Sequence, residues 1–263
     1  MSFAPMRTER QALETSDDAV LGGRLVLRQP LRGHRVGHDA ILLAAATAAR
    51  AGEQAIDLGA GVGAAGLALA ARVDGLGVTL VDIDRALCEL AAGNARRNGL
   101  GERVRALALD VTQPGAMAAA GLVAASFERV LMNPPFNDAA RQNLSPDARR
   151  RLAHAALPDT LPRWIDAASW LLRPQGVLTL IWRADGLAGV LQALEAGFGG
   201  IAVLPVRPRQ DAPAIRVLVR AAKGGQAPHA QYAELTLNDA QGRPTAAAES
   251  VLRGGATLSL ADT

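Results

Sequence analysis

Ala55-Ile56-Asp57-Leu58-Gly59-Ala60-Gly61-Val62-Gly63 is the stretch on which the reading of this chain turns. A short apolar run with an acid near its end turns through glycine at every second position and enters Ala64-Ala65-Gly66-Leu67-Ala68-Leu69-Ala70-Ala71. That order predicts a buried parallel strand, a tight turn and the first helix of a doubly wound sheet. Glycines here let the backbone approach a ligand closely, and exposed amides at a helix start favour a polar or anionic group. The same pattern also suits a plain strand-to-helix turn, so taken alone it leaves the ligand open.

Outward from this pivot the rhythm is regular. Strands are expected at 55–58, 77–82, 104–109, 128–132, 176–182, 201–206 and 215–219, and helices at 62–72, 84–97, 158–172 and 187–196. Residues 115–125 read as a short helix or loop, and 137–155 as a polar, arginine-rich insertion. Upstream, 1–20 reads as a frayed arm with a short helical or turn portion. Leu25 to Gln29 reads as a strand closed by Pro30, and 31–38 as a segment that turns back in a small hairpin. Asp39 opens an alanine- and leucine-rich helix over 40–49. The tail after Lys223 carries an alternating run near 232–237. The expected fold class is α/β: a Rossmann-like, doubly wound, mostly parallel seven-stranded sheet. Residues 1–50 would form an N-terminal extension and 51–263 the sheet domain.

Composition narrows the setting. With 49% hydrophobic and 20% charged residues the chain is of the soluble, folded kind rather than disordered. The net charge of +3 is carried almost wholly by arginine, since Lys223 is the only lysine. Arginine suits bidentate contact with phosphate, but a compositional bias toward Arg and Ala would look the same. Charge therefore permits a nucleic-acid partner without demanding one. Cys88 is the single cysteine, so an intrachain disulfide is impossible and a cytoplasmic location is expected. The first residues lack the apolar core of a signal peptide, and the apolar run at 40–49 is too short to span a bilayer. The histidines His34, His38, His154 and His229 have no ligand-like spacing, so no metal is expected.

Chemistry concentrates at the strand ends. Asp57, Asp82 and Asp110 close three successive strands, on the carboxyl edge where such sheets bind ligands. Asp82 lies about twenty residues past the glycine turn, where a carboxylate can accept both hydroxyls of a ribose. It could instead cap the helix that begins near Asp84, or the two acids could divide these roles. The fourth strand ends in Asn133-Pro134-Pro135-Phe136. Two prolines fix the backbone and remove donors, leaving outward carbonyls, while the Asn amide offers one acceptor and two donors. Such a group can accept the hydrogens of an exocyclic amine and aim its lone pair at an electrophile. Phe136 would supply a flat face for a planar base.

The glycine turn Asp57-Leu58-Gly59-Ala60-Gly61-Val62-Gly63, with Asp82, Asp110 and Asn133-Pro134-Pro135-Phe136, resembles the class I S-adenosylmethionine-dependent methyltransferases that act on amino nitrogens. The resemblance implies that Gly59, Gly61 and Gly63 with Asp57 wrap the methionine part of S-adenosyl-L-methionine. It further implies that Asp82 binds the ribose, that Asp110 lies beside the adenine, and that Asn133 to Phe136 hold the target amine. Gly33-His34-Arg35-Val36-Gly37-His38-Asp39-Ala40-Ile41-Leu42-Leu43-Ala44 looks most like the segment preceding the fold in the bacterial tRNA1(Val) adenine-37 N6-methyltransferase group. There it closes over the cofactor, with Asp39 near the methionine end. Asp82 stands where glutamate is common and Phe136 where tyrosine is frequent, and the insertion after Phe136 differs.

On this likeness the expected reaction is methyl transfer to the N6 amine of an unstacked adenine in tRNA, in the cytoplasm and without a metal or a membrane. Such a pocket cannot reach an amine inside a helix. Arg32, Arg35, Arg141, Arg149, Arg150 and Arg151 are candidate phosphate contacts, each equally readable as a solvated surface charge. His154 would have a structural part, and Cys88, inside a helix, reads as packing rather than as a nucleophile. Rival readings are methylation of a protein glutamine amide, guanine-N2 methylation of ribosomal RNA, and a non-catalytic RNA-binding factor. With only about fifty residues before the sheet, the helical N-terminal domain typical of the glutamine enzymes is not expected.

Overall fold

The computed structural model describes residues 13–32, 35–113, 115–135 and 160–261. Its strands are β1 Thr15–Val20, β2 Leu25–Pro30, β3 Gln54–Leu58, β4 Gly77–Asp82, β5 Val104–Ala108, β6 Phe127–Met132, β7 Leu172–Arg183, β8 Phe198–Arg209, β9 Arg216–Lys223, β10 Ala230–Gln231 and β11 Leu235–Asn238. The helices are α1 His38–Ala46, α2 Ala64–Arg72, α3 Arg85–Arg97, α4 Ala116–Ala119, α5 Thr160–Leu171, α6 Leu187–Leu194 and α7 Ala246–Leu252.

The seven expected strands form one sheet in the order β8-β9-β7-β6-β3-β4-β5, and the short β10 and β11 extend it beyond β8 to nine strands. Pairing is parallel except at β9, which runs antiparallel to both β7 and β8. The chain leaves β3 in one direction through β4 and β5, then returns to the other side of β3 with β6. The crevice at the carboxyl ends of β3 and β6 is therefore the point where strand order reverses, and such crevices bind ligands in open α/β sheets.

Each face of the sheet has its own core. Ala55, Leu131 and Ile181 point to the side of α1, α2 and α7, where Leu42, Leu43, Leu67 and Leu69 are completely buried. Ile56, Met132 and Leu180 point to the side of α5 and α6, against Ile165, Leu171 and Leu194. This alternation along β3, β6 and β7 is the period-2 pattern of strands buried on both faces. The chain's only lysine, Lys223, donates to the carbonyls of Ser169 and Leu172 at 2.6 and 2.8 Å, satisfying acceptors at the end of α5.

The N-terminal region departs from its sequence reading. Residues 15–20, expected as part of a frayed arm, form β1 and pair antiparallel with β2 in a separate two-stranded sheet. The hairpin thus closes before Pro30, not after it. Acidic residues disguised β1, and their partners explain it: Asp17 meets Arg28 at 2.9 Å and Arg97 at 3.4 Å, and Asp18 meets Arg35 at 2.7 Å. Leu25 and Leu27, on the other face of β2, are buried with α1 and α2.

Candidate active site

The glycine turn sits at the strand-order reversal. Gly59, Gly61 and Gly63 all have left-handed backbones, with φ of 70, 56 and 91°, a region that side chains rarely enter. Ala60 N–H donates to the Val81 carbonyl at 2.9 Å, and Gly63 N–H to the Ala60 carbonyl at 2.8 Å. Space around these glycines differs in kind. A Cβ on Gly59 would lie 2.5 Å from the Trp164 ring of α5, whereas one on Gly61 would meet nothing within 4 Å. Gly59 is small because the core presses on it; Gly61 borders open space.

That contrast predicts two phenotypes. Gly59→Ala is expected to destabilise the protein by about 2–4 kcal/mol, combining left-handed strain with overpacking against Trp164. Gly61→Ala should cost only about 1–2 kcal/mol of strain while filling ligand space. Urea unfolding and cofactor titration of the two variants separate these effects. Equal loss of affinity in both would count against Gly61 as the ligand-facing position.

The acids divide their work. Asp57 is 2% exposed and its Oδ2 accepts the Gly66 N–H at 2.9 Å, fastening α2 to β3 from beneath the turn. Burial pushes its carboxyl up to about 7, opposed by the Gly66 hydrogen bond and reinforced by the negative charge of Asp82. Asp82, partly exposed, accepts from Gly61 N–H at 2.8 Å through Oδ2 and from Asp84 N–H at 2.9 Å through Oδ1. Its carboxyl is also raised, chiefly by burial and against those two hydrogen bonds. Asp84, not Asp82, caps α3 by accepting from Ala86 N–H at 2.9 Å. Asp110 lies two residues past β5 and accepts from Thr112 N–H and Oγ1–H at 2.9 and 2.7 Å in a local turn.

Asn133 follows β6, whose Met132 pairs with Leu58 of β3, while Leu58 also pairs with Val81 of β4. Gly59 and Asn133, each one residue beyond its strand, therefore stand side by side with Asp82, the last residue of β4. Pro134 is buried and Pro135 half-buried. Asn133 Oδ1 is buried without a hydrogen-bond partner among the described residues. A buried acceptor without a protein partner is completed by a donor from elsewhere, such as water or a ligand.

The remaining candidates are less concentrated. Asp39, at the start of α1, pairs with Arg216 of β9 at 2.9 Å on the same carboxyl edge. Arg35 is held by the hairpin through Asp18, Ser16 and the Pro30 carbonyl, so it is not a free cation. Arg32 is exposed. Phe136, Arg141, Arg149, Arg150, Arg151, His34 and His154 lie outside the described residues. Sequence reasoning missed Ile83, 60% exposed immediately beyond Asp82. An aliphatic residue between two acids at a strand end was the available signal. It also missed Trp164, which no local pattern ties to Gly59.

The family model described as methyltransferase small domain matches residues 34–207. The chain belongs to the methyltransferase small domain family. Membership implies an enzyme with S-adenosylmethionine as methyl donor. A solved structure described as a predicted O-methyltransferase, protein Atu636 from Agrobacterium tumefaciens, is similar at 30% identity and TM-score 0.71, covering 84% of this chain and 98% of that one. Curated relatives are of two kinds. A release factor glutamine methyltransferase from Chlorobaculum tepidum is 31% identical over 57% of this chain and 52% of its own length. A tRNA1(Val) (adenine(37)-N6)-methyltransferase from Porphyromonas gingivalis is 32% identical over 58% of this chain and 60% of its own. The match thus spans only about half to three fifths of those relatives. Among the described residues no helix is long and apolar enough to cross a membrane.

The site fits the cofactor on its own terms. The turn is open above Gly61, Asp82 presents a partly exposed carboxylate beside it, and Ile83 offers an exposed apolar face.

Proposed function

We propose that this protein transfers a methyl group from S-adenosylmethionine to the exocyclic N6 amine of an unstacked adenine in tRNA. The observation that carries the methyl acceptor's chemistry is the buried, unpartnered Oδ1 of Asn133 beside Gly59. It accepts a hydrogen bond, and a planar primary amine brings two N–H donors. In this reading Gly61 leaves room for the cofactor, Gly59 and Gly63 give the turn its left-handed course against the core, Asp82 accepts from the ribose hydroxyls, and Ile83 and Asp110 flank the adenine. Asp57 shapes the turn from below, and Asp39 stands near the methionine end. When bound, S-adenosylmethionine supplies an electrophilic sulfonium methyl. Asn133 accepts one amine hydrogen and so orients the nitrogen lone pair, and the Pro134-Pro135 backbone removes donors that would compete for it. Oriented hydrogen bonding of this kind also stabilises the charge that develops on the amine as it is alkylated.

The adenine assignment is supported by the relatives named as tRNA1(Val) (adenine(37)-N6)-methyltransferases, and the arginine-rich composition is compatible with an RNA partner. A glutamine side-chain amide presents the same N–H group and is the substrate named for the other relatives, so it is the second reading. The decisive experiment supplies isotopically methyl-labelled S-adenosylmethionine with unmodified total tRNA or with a protein extract, followed by digestion. Labelled N6-methyladenosine is the expected product. Label in glutamine would keep the role of Asn133 and replace the substrate. No transfer to either would overturn the proposal.

A further inference from the structure

Two asparagines on α3 treat the edge of β2 as a strand would. Asn98 Oδ1 accepts from Val26 N–H and its Nδ2 donates to the Val26 carbonyl, both at 2.9 Å. One turn earlier, Asn94 Oδ1 accepts from Arg28 N–H at 2.8 Å and its Nδ2 donates to the Arg28 carbonyl at 3.0 Å. These are the outward groups of β2, which among the described residues has a strand only on its other side, and side-chain amides satisfy them. Asn94 does something more. It is completely buried, and its Nδ2 also donates to the Val62 carbonyl at 3.0 Å. Val62 lies between Gly61 and Gly63, two of the left-handed residues of the cofactor turn, and Gly61 borders open space. One amide therefore bonds both the N-terminal hairpin and the turn, with both of its N–H groups and its oxygen engaged.

We infer that Asn94 is a positioning residue that couples the conformation of the cofactor turn to the seating of the N-terminal hairpin. The Val62 peptide has neighbours that glycine leaves free to rotate, and the Asn94 bond selects one orientation. Because coupling is reciprocal, cofactor that favours the same turn conformation must also tighten the hairpin on α3. Asn98 is the internal control: it grips β2 in the same way and does not touch the turn. The inference rests on the cofactor turn and is independent of which amine is methylated.

The test compares Asn94→Ala with Asn98→Ala, both of which should lower the melting temperature. By calorimetry with S-adenosylhomocysteine, Asn94→Ala should weaken binding about tenfold and Asn98→Ala less than about twofold, one lost hydrogen bond at the turn being the difference. In hydrogen exchange, the same ligand should slow the Arg28 amide in the parent protein and in Asn98→Ala, but not in Asn94→Ala. If Asn94→Ala does not fold, Asn94→Asp keeps the acceptor for Arg28, loses both donors, and should show the same two effects. Equal weakening by the variants at 94 and 98, or ligand-induced protection of Arg28 that persists without the Asn94 donors, would overturn the coupling.

Discussion

Asn133→Ala is expected to lower kcat by about 10²–10³-fold, the range seen when a single preorganised charge-stabilising hydrogen bond is removed. S-adenosylmethionine affinity should hardly change, because the turn and Asp82 are untouched. The same substitution should not destabilise the protein. Asn133 Oδ1 is buried without a partner among the described residues, and an unsatisfied buried acceptor costs about 1–3 kcal/mol. Deleting it relieves that cost, so the melting temperature should hold or rise while turnover collapses. A residue that served only the core would show the reverse. Single-turnover rates, cofactor titration and thermal melts of one variant preparation decide the matter. Turnover within about fivefold of the parent would remove Asn133 from the chemistry, and a drop in cofactor affinity parallel to the rate would reassign it to cofactor binding.

Asp57 predicts a pH dependence with a definite sign. Its folded carboxyl titrates near 7, against an ordinary value of 3.8. Between those values the native state holds a proton that the unfolded chain has released, so stability of the ligand-free protein falls as pH rises through that window. Above about pH 7 both states are ionised and this contribution levels off. At about 1.4 kcal/mol per unit, the span amounts to roughly 4 kcal/mol. Asp82, displaced in the same direction by burial, adds to the slope. Asn at position 57 retains an acceptor for Gly66 N–H and cannot ionise. Asp57→Asn should therefore flatten most of the decline, exceeding the parent in stability at pH 8 by a few kcal/mol and differing little at pH 5. Urea unfolding at the two pH values measures this directly. A parent protein that gains stability from pH 5 to 8, or a variant with the parent's slope, would show that Asp57 is not the group responsible.

Much of this was readable from residue order because it depends on local requirements. Glycine at 59, 61 and 63 answers backbone angles that other residues avoid, and each angle is imposed within the turn itself. The apolar runs of β3, β4, β6 and β7 record burial on both faces, and Asp82 and Asn133 at the ends of β4 and β6 mark the carboxyl edge. Asn133-Pro134-Pro135 is a candidate amine-holding group by its own covalent structure, an amide followed by two residues without N–H donors.

What the sequence alone determined, then, is the kind of sheet, the edge that carries the candidate site and the residue types gathered there, all set by interactions among near neighbours. Tertiary structure alone decided how those residues act. Thr15 to Val20 is a strand because Arg28, Arg35 and Arg97 neutralise its acids from positions 11 to 80 residues away. Asp57 became a buried anchor rather than a surface ligand because α2 folds over it. Asn94 looked like one more polar residue on a helix until β2 and the glycine turn closed on it from two sides. Burial and the partner of a polar group are properties of atoms brought together across the chain, and no spacing along it records them.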